Sequence, residues 1–194
     1  MGVTVEKCLQ AWTNSLRQLN AKADIVFFGD SLTYHGDFAS VFPDKVVCNL
    51  GLRGDTINGL IARIQQVSML KPNYVFLMTG INDLADNETE RFKTQYENLL
   101  KLLYSLEPRC TTIVQSLLPV NSVDFQISCC NDTVRQYNEI IEGLAFMYHL
   151  HFIDLFPLYC VDGVLPKEWT VDGIHLKPTE YSKWYNEILK NVKV

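Results

Sequence analysis

The sequence predicts an α/β sandwich built around a parallel sheet. Five short apolar runs alternate with segments of helical periodicity, and the runs are mostly continuous rather than alternating in polarity. The chain has 194 residues, enough for one domain. A domain of this length buries roughly 70% of the surface of its unfolded chain, so neither a disulfide nor a metal is needed to hold it together.

Continuous apolar runs belong to strands covered on both faces. The predicted strands are 25–28, 46–50, 74–78, 111–117 and 151–154. Between them the spacing predicts helices over 57–69, 88–106 and 132–148, with a last one over 178–191. Asn131 or Asp132 is the expected cap of the third of these, and Lys71-Pro72 ends the first. Upstream, Val5, Leu9, Trp12, Leu16 and Leu19 fall at helical spacing, so 1–22 is expected to form an amphipathic helix packed on a single domain spanning 1–194. That pattern lacks the uninterrupted apolar stretch of a signal peptide, and nothing reaches transmembrane length. Strand–helix alternation implies right-handed crossovers. The loops 118–130 and 158–171 read as long rims of a site.

Composition excludes some partners. The formal net charge is −5 and no basic run is present, which argues against nucleic acid. The six cysteines, Cys8, Cys48, Cys110, Cys129, Cys130 and Cys160, match no zinc spacing and no thioredoxin-like motif. They are expected to be free thiols in a reducing compartment, consistent with a cytoplasmic location.

In sheets of this class, ligands bind beyond the carboxyl ends of the strands. Four segments fall there: Gly29-Asp30-Ser31-Leu32, Gly51, Gly80-Ile81-Asn82-Asp83, and Asp172-Gly173-Ile174-His175 before the last helix. Ser31 offers a hydroxyl that becomes nucleophilic only when a base removes its proton. His175 is the best base, because Asp172 three residues earlier is placed to accept its Nδ1–H and fix the tautomer. Gly51 and the Asn82 side chain, with the Ser31 N–H, fit an oxyanion hole. Taken singly, Asp30 and Ser31 read as helix caps, Gly51 as a turn and Asn82 as a loop residue. Asp83 is expected to fix its loop, and His149 and His151 to be structural or surface residues. Tyr34, His35, Phe125 and Trp169 are candidate rim residues. Arg53 is expected to pair with Asp55 or a neighbour and hold the loop.

Together these segments resemble the blocks of the SGNH hydrolases, also called the GDSL esterase/lipase family, in family order from about Asp24 to the last helix. The resemblance implies a flavodoxin-like three-layer α/β/α sandwich with strand order 2-1-3-4-5. It implies Ser31 as nucleophile, His175 as base and Asp172 as its partner, with Ser31, Gly51 and Asn82 forming the oxyanion hole. The stretch Asn49-Leu50-Gly51-Leu52-Arg53-Gly54-Asp55-Thr56 is similar to the branch holding platelet-activating-factor acetylhydrolase-type and carbohydrate O-acetylesterase-type members. The expected activity is therefore hydrolysis of short-chain acyl esters, acetyl above all, on an acetylated sugar or another small ester, with no metal or cofactor. Two alternatives stand beside it: a lysophospholipase or thioesterase for longer chains, and a non-catalytic interaction module. The resemblance also admits protein assembly, including a homodimer.

Overall fold

The computed structural model describes residues 22–86, 88–106 and 109–192. The amphipathic helix expected over 1–22 lies outside them, apart from Lys22. Five strands, β1 (Ile25–Gly29), β2 (Val47–Gly51), β3 (Tyr74–Met78), β4 (Thr111–Gln115) and β5 (His151–Ile153), form one parallel sheet in the order β2-β1-β3-β4-β5. This is the flavodoxin-like order. Its switch point lies between β1 and β3, where chain direction across the sheet reverses and a crevice opens at the carboxyl edge.

Alternate residues of each strand feed two cores. On one face, Val26, Phe28, Val75, Leu77 and Val114 pack against α2 (Ile57–Ala62), α3 (Gln65–Leu70), α4 (Thr89–Leu106) and α5 (Asn131–Met147). On the other, Ile25, Phe27, Phe76, Met78 and Ile113 meet Phe38 and Phe42, α6 (Phe156–Tyr159) and α7 (Tyr181–Asn191). Burial on both faces accounts for the continuously apolar strands. Cys48, Cys110, Cys129, Cys130 and Cys160 are free thiols. No helix among the described residues is long and apolar enough to cross a membrane.

Most strand and helix ends lie within one residue of the sequence expectation, and the other differences have local reasons. The helix expected over 57–69 is broken into α2 and α3 at Arg63, whose side chain turns inward to bond Asp55 and two backbone carbonyls. Strand β4 stops at Gln115, because the backbone N–H and C=O of Leu117 pair with the Asn138 side chain instead of a strand. Cys130 occupies the cap position of α5 without a side-chain bond; Asn131 instead clamps the N–H and C=O of Val120. The last helix opens with a 3₁₀ turn over Pro178–Glu180 before α7. Lys71 does end α3, in the left-handed conformation at φ 48°.

Trp184 anchors α7 to the sheet. It is fully buried, its indole N–H donates to Gln115 Oε1 at 2.6 Å, and its ring stacks on Tyr181. Trp184→Ala leaves a large cavity and an unpaired amide, so it should cost about 3–5 kcal/mol. The check is a lower urea midpoint with an unchanged m-value.

Candidate active site

Ser31 follows β1 directly as the first residue of a one-turn helix, α1 (Ser31–Tyr34), capped by Asp30. Asp30 Oδ1 accepts the Leu32 N–H at 2.9 Å, and the Ser31 N–H has no acceptor among the described residues. Ser31 Oγ lies 2.8 Å from His175 Nε2, and His175 Nδ1 lies 2.6 Å from Asp172 Oδ2. An unbroken serine–imidazole–carboxylate chain therefore joins residues 144 positions apart.

The turn carrying the last two of these residues is tightly determined. Asp172 Oδ1 accepts the backbone N–H of both Ile174 and His175. Thr170 Oγ1 donates to the His175 carbonyl and accepts the Gly173 N–H. Gly173 has a left-handed φ of 92°, and a Cβ there would meet the Asn121 carbonyl at 2.9 Å. Burial alone would raise the Asp172 carboxyl, but hydrogen bonds from the His175 N–H, the His175 ring and the Ile174 N–H hold it below the usual carboxylate range. It stays ionised, as a partner for an imidazolium must.

The loops after β2 and β3 leave the same end of the sheet as Ser31, because both strands run parallel to β1 and flank it. The Asn82 amide donates to the Asp55 carbonyl at 2.8 Å, and Asp83 accepts the Ile57 N–H with both oxygens, so the loop after β3 is stitched to the loop after β2. One Nδ2–H of Asn82 is thereby used and its second is available. Gly51 departs from expectation. Its N–H already donates to Asn49 Oδ1 at 2.8 Å, and a Cβ at this position would lie 2.2 Å from the Tyr34 backbone nitrogen. Gly51 is a glycine because the end of β2 presses on α1, and its amide is committed. Gly54, three residues on, has a φ of 72°, open space around it and no acceptor for its N–H among the described residues. Asn49 is a residue the sequence reading passed over. Its amide also donates to the carbonyls of Thr33 and Gly36, so one side chain fastens α1 to β2. The Asn49-x-Gly51 spacing was visible, but not the partner of each group.

A cavity of 250 Å³ adjoins the triad, lined by His35, Arg53, Asp172, His175, Leu176 and Tyr181 among others. A larger one, 420 Å³, lies between α4 and α5 and contains no histidine, so it has no nucleophile–base pair. Of the expected rim residues, His35 lines the smaller cavity, its ring 5.9 Å from that of His175. Burial, then the charges of Arg53 and His175, lower the His35 pKa and keep it neutral. Tyr34 is half exposed and meets His35 edge-on. Phe125 packs on Gly173 beneath the Asp172–His175 turn. Trp169 is not brought to the cavity; its ring is covered by the Lys183 ammonium, 2.9 Å from the centroid. The expected Arg53–Asp55 pair is also replaced, since Asp55 binds Arg63 Nε at 2.7 Å.

Beneath the site, Asp30 is wholly buried and its Oδ2 has no hydrogen-bond partner among the described residues. Burial pushes its carboxyl up to about 7, against the pull of the Leu32 N–H. In the unfolded chain the same group ionises at about 4. Between those values the folded state holds a proton that the unfolded state has lost, so this group's contribution to stability falls as pH rises. Asp30→Asn keeps an acceptor for Leu32 and removes the titration. Relative to wild type, its stability should climb by up to about 1.4 kcal/mol per pH unit from about pH 4 to about pH 7, then level off. Urea denaturation across that range checks this; parallel curves would contradict it.

Comparison with known proteins bears on the family and the fold. The model of the GDSL-like lipase/acylhydrolase family matches residues 27–183, a span that includes Ser31, Asn82, Asp172 and His175. No curated protein matches the chain. Among solved structures, one from Streptococcus pneumonia, provisionally described as a platelet activating factor, is similar with a TM-score of 0.81 and 22% identity, over 98% of this chain and 99% of that one. A GDSL-like lipase from Bacteroides thetaiotaomicron gives a TM-score of 0.77 and 18% identity, over 94% and 95%. An acetyl xylan esterase gives 0.74 and 18%, over 87% and 99%. At these identities the likeness to solved structures is one of fold. With the family model matched over more than half its length, the chain belongs to the GDSL-like lipase/acylhydrolase family and is a carboxylic ester hydrolase.

Proposed function

We propose that the protein is a serine esterase acting on acetyl and other short acyl esters through an acyl-enzyme, with Ser31 as nucleophile, His175 as base and Asp172 as its partner. The observation that carries this reading is the continuous contact from Ser31 Oγ through His175 to Asp172, at 2.8 and 2.6 Å. Ser31 Oγ attacks the acyl carbon while His175 Nε2 takes its proton, and Asp172 stabilises the imidazolium. The negative charge that develops on the carbonyl oxygen is met by the Ser31 N–H and the second Nδ2–H of Asn82. The committed amide of Gly51 favours Gly54 as the third donor. Return of the proton from His175 expels the alcohol. Water, activated by the same base, then releases the acid.

The adjoining cavity, 250 Å³, falls below the roughly 300–1,000 Å³ of pockets that enclose drug-sized ligands. An acetyl group fits such a volume, whereas a long chain needs an extended apolar groove. The fold neighbour named as an acetyl xylan esterase supports acetylated sugars as a substrate class to try first.

Turnover of a p-nitrophenyl ester series from acetate to decanoate should be greatest at acetate. Ser31→Ala should lower it by at least about a thousandfold while leaving the denaturation midpoint unchanged. Retained hydrolysis by Ser31→Ala would overturn the triad assignment, and a maximum at long chains would overturn the acyl preference.

A further inference from the structure

We propose that Arg53 makes this enzyme selective for esters that carry an anionic oxygen group, a carboxylate or a phosphate, beside the scissile bond. The proposal rests on the esterase reading above and adds the chemistry of the substrate.

Arg53 lies in the loop between β2 and α2 and lines the same cavity as His175 and Asp172. Its sequence neighbour Asp55 cannot neutralise it, because that carboxylate is buried against Arg63 at 2.7 Å. Asp172 lines the same cavity, but its ion-pair partner is His175 and not Arg53. No carboxylate among the described residues forms an ion pair with Arg53. The side chain is exposed, so its charge is solvated and ready to be matched by a ligand. His35 stands on the same wall and is kept neutral, so it adds a hydrogen-bonding ring without a second cation.

A guanidinium presents a planar fork of N–H donors that fits the paired oxygens of a carboxylate or a phosphate. Arg53 shares the lining of this cavity with His175, whose Nε2 contacts Ser31 Oγ, so an anion bound there lies on the base's side of the site. A neutral acetate ester would leave the fork facing water. An ester with an acidic group on its alcohol portion would bind Arg53 while its acyl carbon meets Ser31. Because Arg53 is exposed, the pairing corresponds to a preference of up to about fivefold.

The test compares three matched acetate esters: meta-acetoxybenzoate, meta-acetoxyphenyl phosphate and the neutral meta-acetoxybenzamide. For each, kcat/KM is measured near neutral pH with wild type, Arg53→Gln and Arg53→Lys. The ratio of charged to neutral ester should fall about fivefold in Arg53→Gln and be only partly kept in Arg53→Lys, which retains the charge but not the fork. Intrinsic ester reactivity cancels in that comparison. The benzoate and phosphate arms tell which oxyanion the site prefers. In wild type alone, added salt should lower the same ratio, because an exposed ion pair is screened. A ratio that moves less than about twofold on Arg53→Gln and is indifferent to salt would overturn the proposal. If wild type hydrolyses none of the three, the esterase reading fails instead.

Discussion

One buried guanidinium holds together the edge of the sheet where the chemistry is built. Arg63 donates to the Gly29 carbonyl at 3.0 Å, to the Leu50 carbonyl at 2.7 Å and to Asp55 Oδ2 at 2.7 Å, and it lies over the Phe28 ring. Those two carbonyls close β1 and β2. Burying a charge costs several kcal/mol unless paired charge and hydrogen bonds offset it. Burial works against the Arg63 charge and Asp55 favours it. The arrangement is stable only while all these partners stay in place, so the ends of two strands and the loop between β2 and α2 are fixed in one frame. Buried ion pairs elsewhere are often replaced by hydrophobic residues without loss of stability, but here the charge also sets where that loop sits.

The rest of the site is referred to that frame from three directions. Asn49 ties α1 to β2, and Asn82 ties the loop after β3 to the Asp55 carbonyl. From the opposite side, the Tyr181 hydroxyl donates to the Leu32 carbonyl, and the Tyr185 hydroxyl accepts the Asp37 N–H. The turn bearing Asp172 and His175 is held to the loop after β4 by the Asn121 N–H on the Gly173 carbonyl. Hydrogen bonding of this density fixes donors and base before substrate arrives, which is the physical basis of electrostatic preorganisation.

Much of this was legible in the sequence, for reasons that also mark the limit. Strands such as Ile25–Gly29 and Tyr74–Met78 announce themselves because both faces are buried, so nearly every residue is apolar. Ser31, Asp172 and His175 could be read because their side chains have few other uses in that spacing. Three things were hidden, and each turns on which partner a particular group takes. Arg63 sits in a helical pattern with nothing local to show that it turns inward and breaks the helix. Gly51 and Gly54 look equally suited to donate an amide until Asn49 is seen to occupy one of them. Trp169 has the aromatic character of a rim residue, yet Lys183, fourteen positions later, covers its ring.

The central claim is that residues from four separated segments surround one reactive hydroxyl. It is tested most directly by treating the folded protein with a fluorophosphonate, which reacts with a serine only when a base and an oxyanion site act on it together. Peptide mass mapping should find a single adduct on Ser31, and none when the protein is first unfolded in urea. An adduct on another serine, or no adduct on protein shown to be folded by circular dichroism, would contradict the account.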